Sequence, residues 1–353
     1  MSQTISCMIM RGGTSRGPYL NISDLPKERE ACADILLKIM GSGHELQIDG
    51  IGGGNSLTSK VAMVGPSTHP EADVDYLFAQ VGILEKKVDF APNCGNMLAG
   101  VAPYAIETGL FPASNDKTIV RIHNVNTGKI IHATVSTPNG KVKYSGNTII
   151  AGTNSPGEPI HLTFIDVEGS KTGKLLPTGN KIDIIDSVPV TCLDAATPVV
   201  LIKAADLKKT GYESPSEFDN DVEFMSRLEN IRLQAGRLMG LGDVSNSVIP
   251  KPILLSPALH GGTISARYFV PNKCHKALAV TGSIAITTAC CTLGTIASEL
   301  INNSTDDSSF VLEHPSGTIE LGVTRNAEDR TVIASVSLIR TAKRILSGII
   351  YLD

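Results

Sequence analysis

Residues 97–106 are apolar or small at nearly every position, and the first charge after them is Glu107. A helix over this run is greasy on every face, so it requires protein wrapped around it on all sides. Ala99, Gly100, Ala102 and Ala105 let that wrapping come close. Near the other end, His275-Lys276-Ala277 and Val280-Thr281-Gly282-Ser283 lead into a second uncharged run over residues 284–298. Two such helices, about half a chain apart, predict two similar domains, each built round a buried helix, with both helix N-termini facing one cleft.

Around these runs the pattern is mostly period-two alternation, which predicts strands at residues 6–10, 61–64, 73–81, 118–123, 129–137, 141–144 and 161–166. It restarts with strands at 188–192, 199–203, 253–256, 263–269, 310–313 and 331–338, and residues 340–352 close the chain with β-rich sequence that pairs back onto the first domain. A helix is signalled over 26–40, with Asp24 as cap and Ala33, Leu36, Leu37 and Met40 as its apolar stripe. A long amphipathic helix over 217–239 is expected outside the second core. The fold class is α/β, with domains at 1–186 plus 339–353 and at 187–338.

Net charge is −4, from 31 basic and 35 acidic residues without a long block of either sign, and aromatics are 4% with no Trp. Both features argue against nucleic acid as a partner. The first ten residues lack the charged and apolar regions of a signal peptide. The seven cysteines are odd in number and form no CxxC pair, which fits free thiols in a reducing cytoplasm. No metal-ligand spacing is present, so no metal is expected. Residues 277–298 are long and uncharged enough to raise a membrane span, but their threonines, serine and glycines favour a buried helix.

Candidate chemistry gathers at four places. Asn93-Cys94-Gly95-Asn96 places a thiol where a helix begins, and N–H groups and the positive end of a macrodipole favour an anion there, thiolate or carboxylate. Arg11-Gly12-Gly13-Thr14-Ser15-Arg16-Gly17 is a glycine-rich, hydroxyl-bearing, basic loop that can cradle an anion, or equally a tight turn with solvated arginines. Gly50-Ile51-Gly52-Gly53-Gly54-Asn55 requires close backbone approach, and the Lys60 that follows it can lose water at the rim of an apolar strand and become a usable base. Arg267, alternating with apolar residues, can clamp a carboxylate, and His314-Pro315-Ser316-Gly317 is a turn with a hydroxyl and exposed backbone.

The blocks MRGGTSRG, IDGIGGGNSLTSKVA, DVDYLFAQV, PNCGNMLAGV, LPTGN, RLENIRLQAG, LGDVSN, EHPSG and LIRTAKRILSG resemble the PrpF family over residues 5–348. That family includes methylaconitate isomerase, methylitaconate delta-isomerase and 4-oxalomesaconate tautomerase, and the chain looks most similar to the last branch. The resemblance implies a diaminopimelate-epimerase-like fold: two pseudo-symmetric domains, each a β-roll around a central buried helix. In the epimerases each central helix begins with a cysteine. Here the second position carries Thr281, and the resemblance supplies a lysine instead, at Lys60. Cys290 and Cys291 fall about two and a half turns into their helix and are expected in the core.

The function expected is therefore a cofactor-independent isomerase that moves a C=C bond in an unsaturated di- or tricarboxylate by 1,3-proton transfer, with Lys60 and Cys94 as base and acid in either order. Thr14, Ser15, Asn55, Ser56, Ser59, Asn93, Gly95, Asn96, Arg267, Thr281, Gly282, Ser283, Ser316 and Gly317 are the candidate substrate-binding residues. No cofactor, nucleic acid or membrane is expected as partner, and a homodimer or higher homo-oligomer is. Two other classes stay open: an accessory protein for an aconitase-like iron–sulfur enzyme, and a cysteine hydrolase using Cys94 with His260, His275 or His314.

Overall fold

Strand β1 (Gln3–Gly12) turns back through Gly13 and Thr14 into β2 (Ser15–Asn21), an antiparallel pair in register from Met8↔Tyr19 to Gly12↔Ser15. The computed structural model describes residues 3–270, 273–301, 308–329 and 332–352, which fall into two units: Met1–Phe164 with Ile339–Asp353, and Ile165–Leu338.

In the first unit, α1 (Arg29–Met40) follows β2. It starts later than the sequence pattern predicts, because Asp24 belongs to a short turn, Ile22–Asp24, whose cap is the Asn21 side chain. Its buried stripe is Cys32, Leu36, Ile39 and Met40, and Gly41 ends it in the left-handed conformation. Then come β3 (Lys60–Pro66), β4 (Val74–Val81) and β5 (Val88–Asp89). Next are α2 (Gly95–Leu98) and α3 (Val101–Glu107), followed by β6 (Asp116–Asn124), β7 (Lys129–Thr137) and β8 (Ile160–Ile165). Residues 141–144 form no strand; Lys143 and Tyr144 make single backbone bonds to Ser136 and Glu158.

The predicted central helix is thus two short ones, buried throughout from Gly95 to Ala105. The Tyr19 hydroxyl donates to the Met97 carbonyl at 2.5 Å and competes for an acceptor of the helical ladder. The same hydroxyl would lie 2.4 Å from a Cβ on Gly100, so only glycine fits at the break.

The second unit contains β9 (Asp183–Ile185), β10 (Val188–Ala195) and β11 (Thr197–Lys203), then α4 (Pro215–Asn220) and α5 (Val222–Leu238). The single helix expected over 217–239 is divided at Asp221, whose side chain caps α5 through the Phe224 N–H at 3.0 Å. Strands β12 (Lys251–Ser256), β13 (Ile264–Val270) and β14 (Lys273–Cys274) precede the central α6 (Val280–Cys291) and α7 (Ile296–Leu300). Strands β15 (Ser309–His314), β16 (Gly317–Arg325) and β17 (Ile333–Arg340) follow, the unit ending at Leu338 within β17; Thr331, expected to open β17, lies outside the described residues. The last strand, β18 (Ala342–Leu352), pairs antiparallel with β1 in the first unit.

Strand pairing repeats between the units. In the first, β1/β2 is antiparallel, β2/β3 parallel, β3/β4 antiparallel, β4/β6 parallel, and β6/β7 and β7/β8 antiparallel. In the second, β10/β11, β11/β12, β12/β13, β13/β15 and β15/β16 run through the same sequence, and β16/β17 closes it antiparallel. Parallel neighbours need a crossover, and each crossover carries helices: α1 and α2–α3 in one unit, α4–α5 and α6–α7 in the other. Among the described residues no helix is long and apolar enough to cross a membrane.

Candidate active site

Most of the RGGTSRG stretch is strand rather than loop, and its glycines serve close approach. A Cβ on Gly12 would stand 2.5 Å from the Asn96 carbonyl oxygen, one on Gly13 2.1 Å from Asn96 Oδ1, and one on Gly17 1.9 Å from the Lys60 carbonyl oxygen. Gly13 also carries a φ of 52°, which suits glycine at a hairpin turn. The hairpin therefore lies against both the start of α2 and the start of β3. Thr14 Oγ1 accepts a 3.0 Å hydrogen bond from Asn96 Nδ2, while Asn96 Oδ1 and Ser15 Oγ are buried without a hydrogen-bond partner.

Cys94 is the half-buried N-cap of α2. The Leu98 N–H bonds back to its carbonyl at 3.0 Å, so the N–H groups of Gly95, Asn96 and Met97 lie ahead of the first intrahelical bond. The Tyr76 hydroxyl donates to the same Cys94 carbonyl at 3.0 Å. Register pairs Lys60 with Gln80, Ala62 with Phe78 and Val64 with Tyr76, so one face of β4 carries Tyr76, Phe78 and Gln80. Lys60 Nζ donates to Gln80 Oε1 at 2.5 Å and stands 5.2 Å from the centre of the Phe78 ring. Gln80 Nε2 in turn donates to the carbonyls of Ser59 (2.8 Å) and Ser56 (3.3 Å).

Burial holds the Lys60 ammonium below the usual lysine range, and the negative charge of a Cys94 thiolate opposes that shift. Tyr19 and Tyr76 are pushed well above the usual tyrosine range, first by burial and next by Cys94. The first unit thus holds a lysine whose proton affinity burial lowers, a thiol whose negative charge would oppose that shift, and main-chain donors beside the thiol. Such a set can remove a proton from carbon, return one, and receive a carboxylate or enolate oxygen. Gln80 is a member that sequence reasoning missed; only its register opposite Lys60 reveals it.

The other first-unit candidates divide. Asn93 is half-buried beside Cys94. Ser59 is fully buried, accepts from Gln47 Nε2 at 2.8 Å and donates to the Val81 carbonyl at 2.9 Å, so its hydroxyl is spent inside the unit. Asn55 is exposed and caps its own turn through the Leu57 N–H, and Ser56 offers its carbonyl to Gln80. The neighbouring glycines admit Gln47 and the end of α1: a Cβ on Gly52 would meet the Gln47 amide at 2.3 Å, and one on Gly50 the Gly41 nitrogen at 2.2 Å.

In the second unit, two of the guanidinium nitrogens of Arg267 already donate within the unit. The residue is buried, with Nε donating to the Glu213 carbonyl at 3.0 Å and Nη1 to the Ala266 carbonyl at 3.1 Å. Thr281, Gly282 and Ser283 lie in the buried first turn of α6, and the Ser283 N–H, expected to face a carboxylate, bonds the Ala279 carbonyl at 2.8 Å. Gly282 is required by Tyr268, whose ring carbon lies 2.4 Å from where a Cβ would be. Ser316 is exposed and donates to the Lys276 carbonyl, and Gly317 opens β16. His260 is held in a loop whose N–H groups, from Leu259, His260 and Gly262, all donate to the Glu313 carboxylate. The His275 ring accepts from the Ala277 N–H and the His314 ring from the Ser316 N–H.

All seven cysteines are free. Burial pushes Cys7, Cys192 and Cys274 up to about 12 and raises Cys290 further, so these thiols stay protonated. Cys291, expected in the core with Cys290, is half-buried at the end of α6. Among the described residues no group of three or more His, Cys, Asp or Glu side chains could hold a metal ion.

The profile of the family described as PrpF protein matches residues 2–353. The Escherichia coli (strain K12) protein YbhH is 53% identical over 348 residues, covering 99% of each chain. A 4-oxalomesaconate tautomerase from Pseudomonas putida is 46% identical over 354 residues, covering 99% of this chain and 97% of its own. The crystal structure of a methylitaconate-delta-isomerase superposes with a TM-score of 0.85 at 34% identity, covering 100% of this chain and 96% of that one. A hydroxyproline epimerase from Agrobacterium vitis, at 13% identity and a TM-score of 0.58, shares the fold, which is epimerase-like as the family resemblance implied.

Proposed function

Because this chain belongs to the PrpF family, we propose that it is a cofactor-independent isomerase that moves a C=C bond in an unsaturated di- or tricarboxylate, of the oxalomesaconate or methylaconitate type, by a 1,3-proton shift. The observation that carries this reading is the placement of Lys60 and Cys94: one hairpin packs through Gly17 on Lys60 and through Gly12 and Gly13 on Asn96, two residues beyond Cys94, and burial lowers the proton affinity of the lysine. One group removes a proton from an allylic carbon, giving a delocalised dienolate, and the other protonates the far allylic end, so no atom is gained or lost. Either group can start. The N–H groups of Gly95 and Asn96 receive a substrate carboxylate or the developing enolate oxygen, with Thr14, Ser15 and Asn93 at their side.

The odd set of free thiols supports a reducing, cytoplasmic setting. The exposed apolar side chains Ile345, Leu346, Ile349 and Tyr351 on β18 support a homo-oligomer, which light scattering would measure. The activity is tested by incubating the protein with oxalomesaconate, methylitaconate and methylaconitate in deuterated water and following deuterium uptake by proton NMR. Wild type should exchange with at least one. Lys60→Ala and Cys94→Ser should lose about 100-fold or more, the scale of positioned acid–base catalysis. Near wild-type exchange in both variants would sink the assignment.

A further inference from the structure

Three arginines among the described residues are buried to 8% exposure or less, and they are satisfied very differently. Arg232 forms two 2.7 Å bonds to the Glu229 carboxylate and reaches the carbonyls of Val244, Ser247 and Ile249. Arg267 has the carbonyls of Glu213 and Ala266. Among the described residues Arg340 has one acceptor, the carbonyl of its own neighbour Ile339 at 2.9 Å, while its Nε is buried with no partner and no carboxylate there pairs with it. Burial alone lowers it to about 10, with no neighbouring charge acting against the shift. A buried cation left in this state is costly, and folded chains keep one where a ligand supplies the missing charge.

Its position indicates which ligand. The next residue, Thr341, is fully buried; its carbonyl accepts the Gly13 N–H at 2.9 Å and Arg11 Nη1 at 3.2 Å, and its hydroxyl accepts Arg11 Nη2 at 3.0 Å. Gly13 and Thr14 are the turn that packs on Asn96 at the start of the Cys94 helix. Ser15 Oγ and Asn96 Oδ1, the other buried polar atoms of this turn and helix start, also lack partners. Arg340 is thus one residue away from the main-chain contact that ties the chain to this turn, and the turn runs into Ser15, whose buried hydroxyl has no partner.

We infer that Arg340 is a substrate-binding residue whose guanidinium receives a carboxylate of the polycarboxylate substrate, while the Ser15 hydroxyl donates to the same ligand; this rests on the isomerase reading above. Arginine suits the role because its planar fork matches a carboxylate with two parallel bonds.

The test uses propane-1,2,3-tricarboxylate, a saturated tricarboxylate with no double bond to move, titrated calorimetrically into wild type, Arg340→Met, Arg340→Lys and Lys60→Ala. Wild type and Lys60→Ala should bind it. Arg340→Met should bind about tenfold to a hundredfold more weakly and raise KM for the turned-over substrate by a similar factor, with Arg340→Lys in between. Because Arg340 has no ion pair to lose, the ligand-free melting temperature of Arg340→Met should equal or exceed that of wild type. A folded Arg340→Met with wild-type binding and KM would overturn the inference, as would a wild type that does not bind the probe. Should Arg340→Met not fold, a wild-type KM and probe affinity in Arg340→Lys overturn it equally. Lost probe binding in Arg340→Met with intact deuterium exchange in Lys60→Ala and Cys94→Ser would instead uphold Arg340 and refute the acid–base pair.

Discussion

Lys60 and Gln80 face each other across the β3–β4 register, and the Gln80 side-chain carbonyl takes the lysine Nζ at 2.5 Å while its amide is anchored on two main-chain carbonyls. The lysine that burial disposes toward neutrality is thereby held in one place. Gln80→Leu removes the anchor, and a misplaced base costs up to about 100-fold in rate. We expect kcat to fall about tenfold to a hundredfold with KM little changed. The lost acceptor favoured the charged amine, so the rising limb of the pH–rate profile should move to lower pH. Gln80→Glu, which adds a negative charge, should move it to higher pH. Profiles of kcat/KM for the three proteins decide it, and unmoved limbs would count against the contact.

The lowered proton affinity of Lys60 has a thermodynamic sign as well. In the unfolded chain the lysine keeps its proton up to the usual lysine range; in the folded chain it releases it at lower pH. Between those two pH values the unfolded state binds more protons, so stability rises with pH there. Below the folded value both states are protonated, and this contribution is flat. Lys60→Met removes the titration. Measured by urea unfolding, wild-type stability relative to Lys60→Met should therefore improve as the pH rises toward the usual lysine range, pH ~10. An opposite slope would mean that the lysine is stabilised in its charged form.

Ser59 separates a structural hydroxyl from a binding one. Its Oγ accepts from Gln47 and donates to Val81, with no surface exposed. Ser59→Ala should cost about 1–3 kcal/mol of stability, because Gln47 and Val81 lose partners in a buried place. KM should stay within about twofold of wild type, a difference well under 1.4 kcal/mol. A raised KM at unchanged melting temperature would restore Ser59 to the substrate.

The two central helices, the strands around them and the repeat of the pattern could be read from hydrophobic spacing, because an all-apolar run has few ways to be buried. Lys60 and Cys94 stood out by family blocks and by their places at the head of a strand and a helix. What could not be read is whatever depends on register or on side-chain satisfaction. Gln80 is twenty residues from Lys60 and becomes its partner only through strand pairing. Ser59 and Ser283 carry suitable chemistry in sequence, yet the Ser59 hydroxyl and the Ser283 N–H are engaged within their own units, as are two guanidinium nitrogens of Arg267. Arg340 shows the reverse case: unremarkable in an alternating strand, it is distinguished by the partners it lacks.

Gly282 invites a test of why a glycine opens the second central helix. A Cβ there would stand 2.4 Å and 2.8 Å from two carbons of the Tyr268 ring, and that ring is itself 3% exposed, with little room to retreat. Small-to-large changes in a packed interior cost about 1–3 kcal/mol, so Gly282→Ala should lower the melting temperature and Gly282→Val should lower it further. The cause is named by the partner: with Tyr268→Ala in place, most of the penalty of Gly282→Ala should vanish. A double-mutant cycle in chemical denaturation should return a coupling of about 1 kcal/mol or more, as for other residues in direct contact. A Gly282→Ala protein as stable as wild type, or penalties that simply add, would show that the ring yields and that some other constraint selects glycine here.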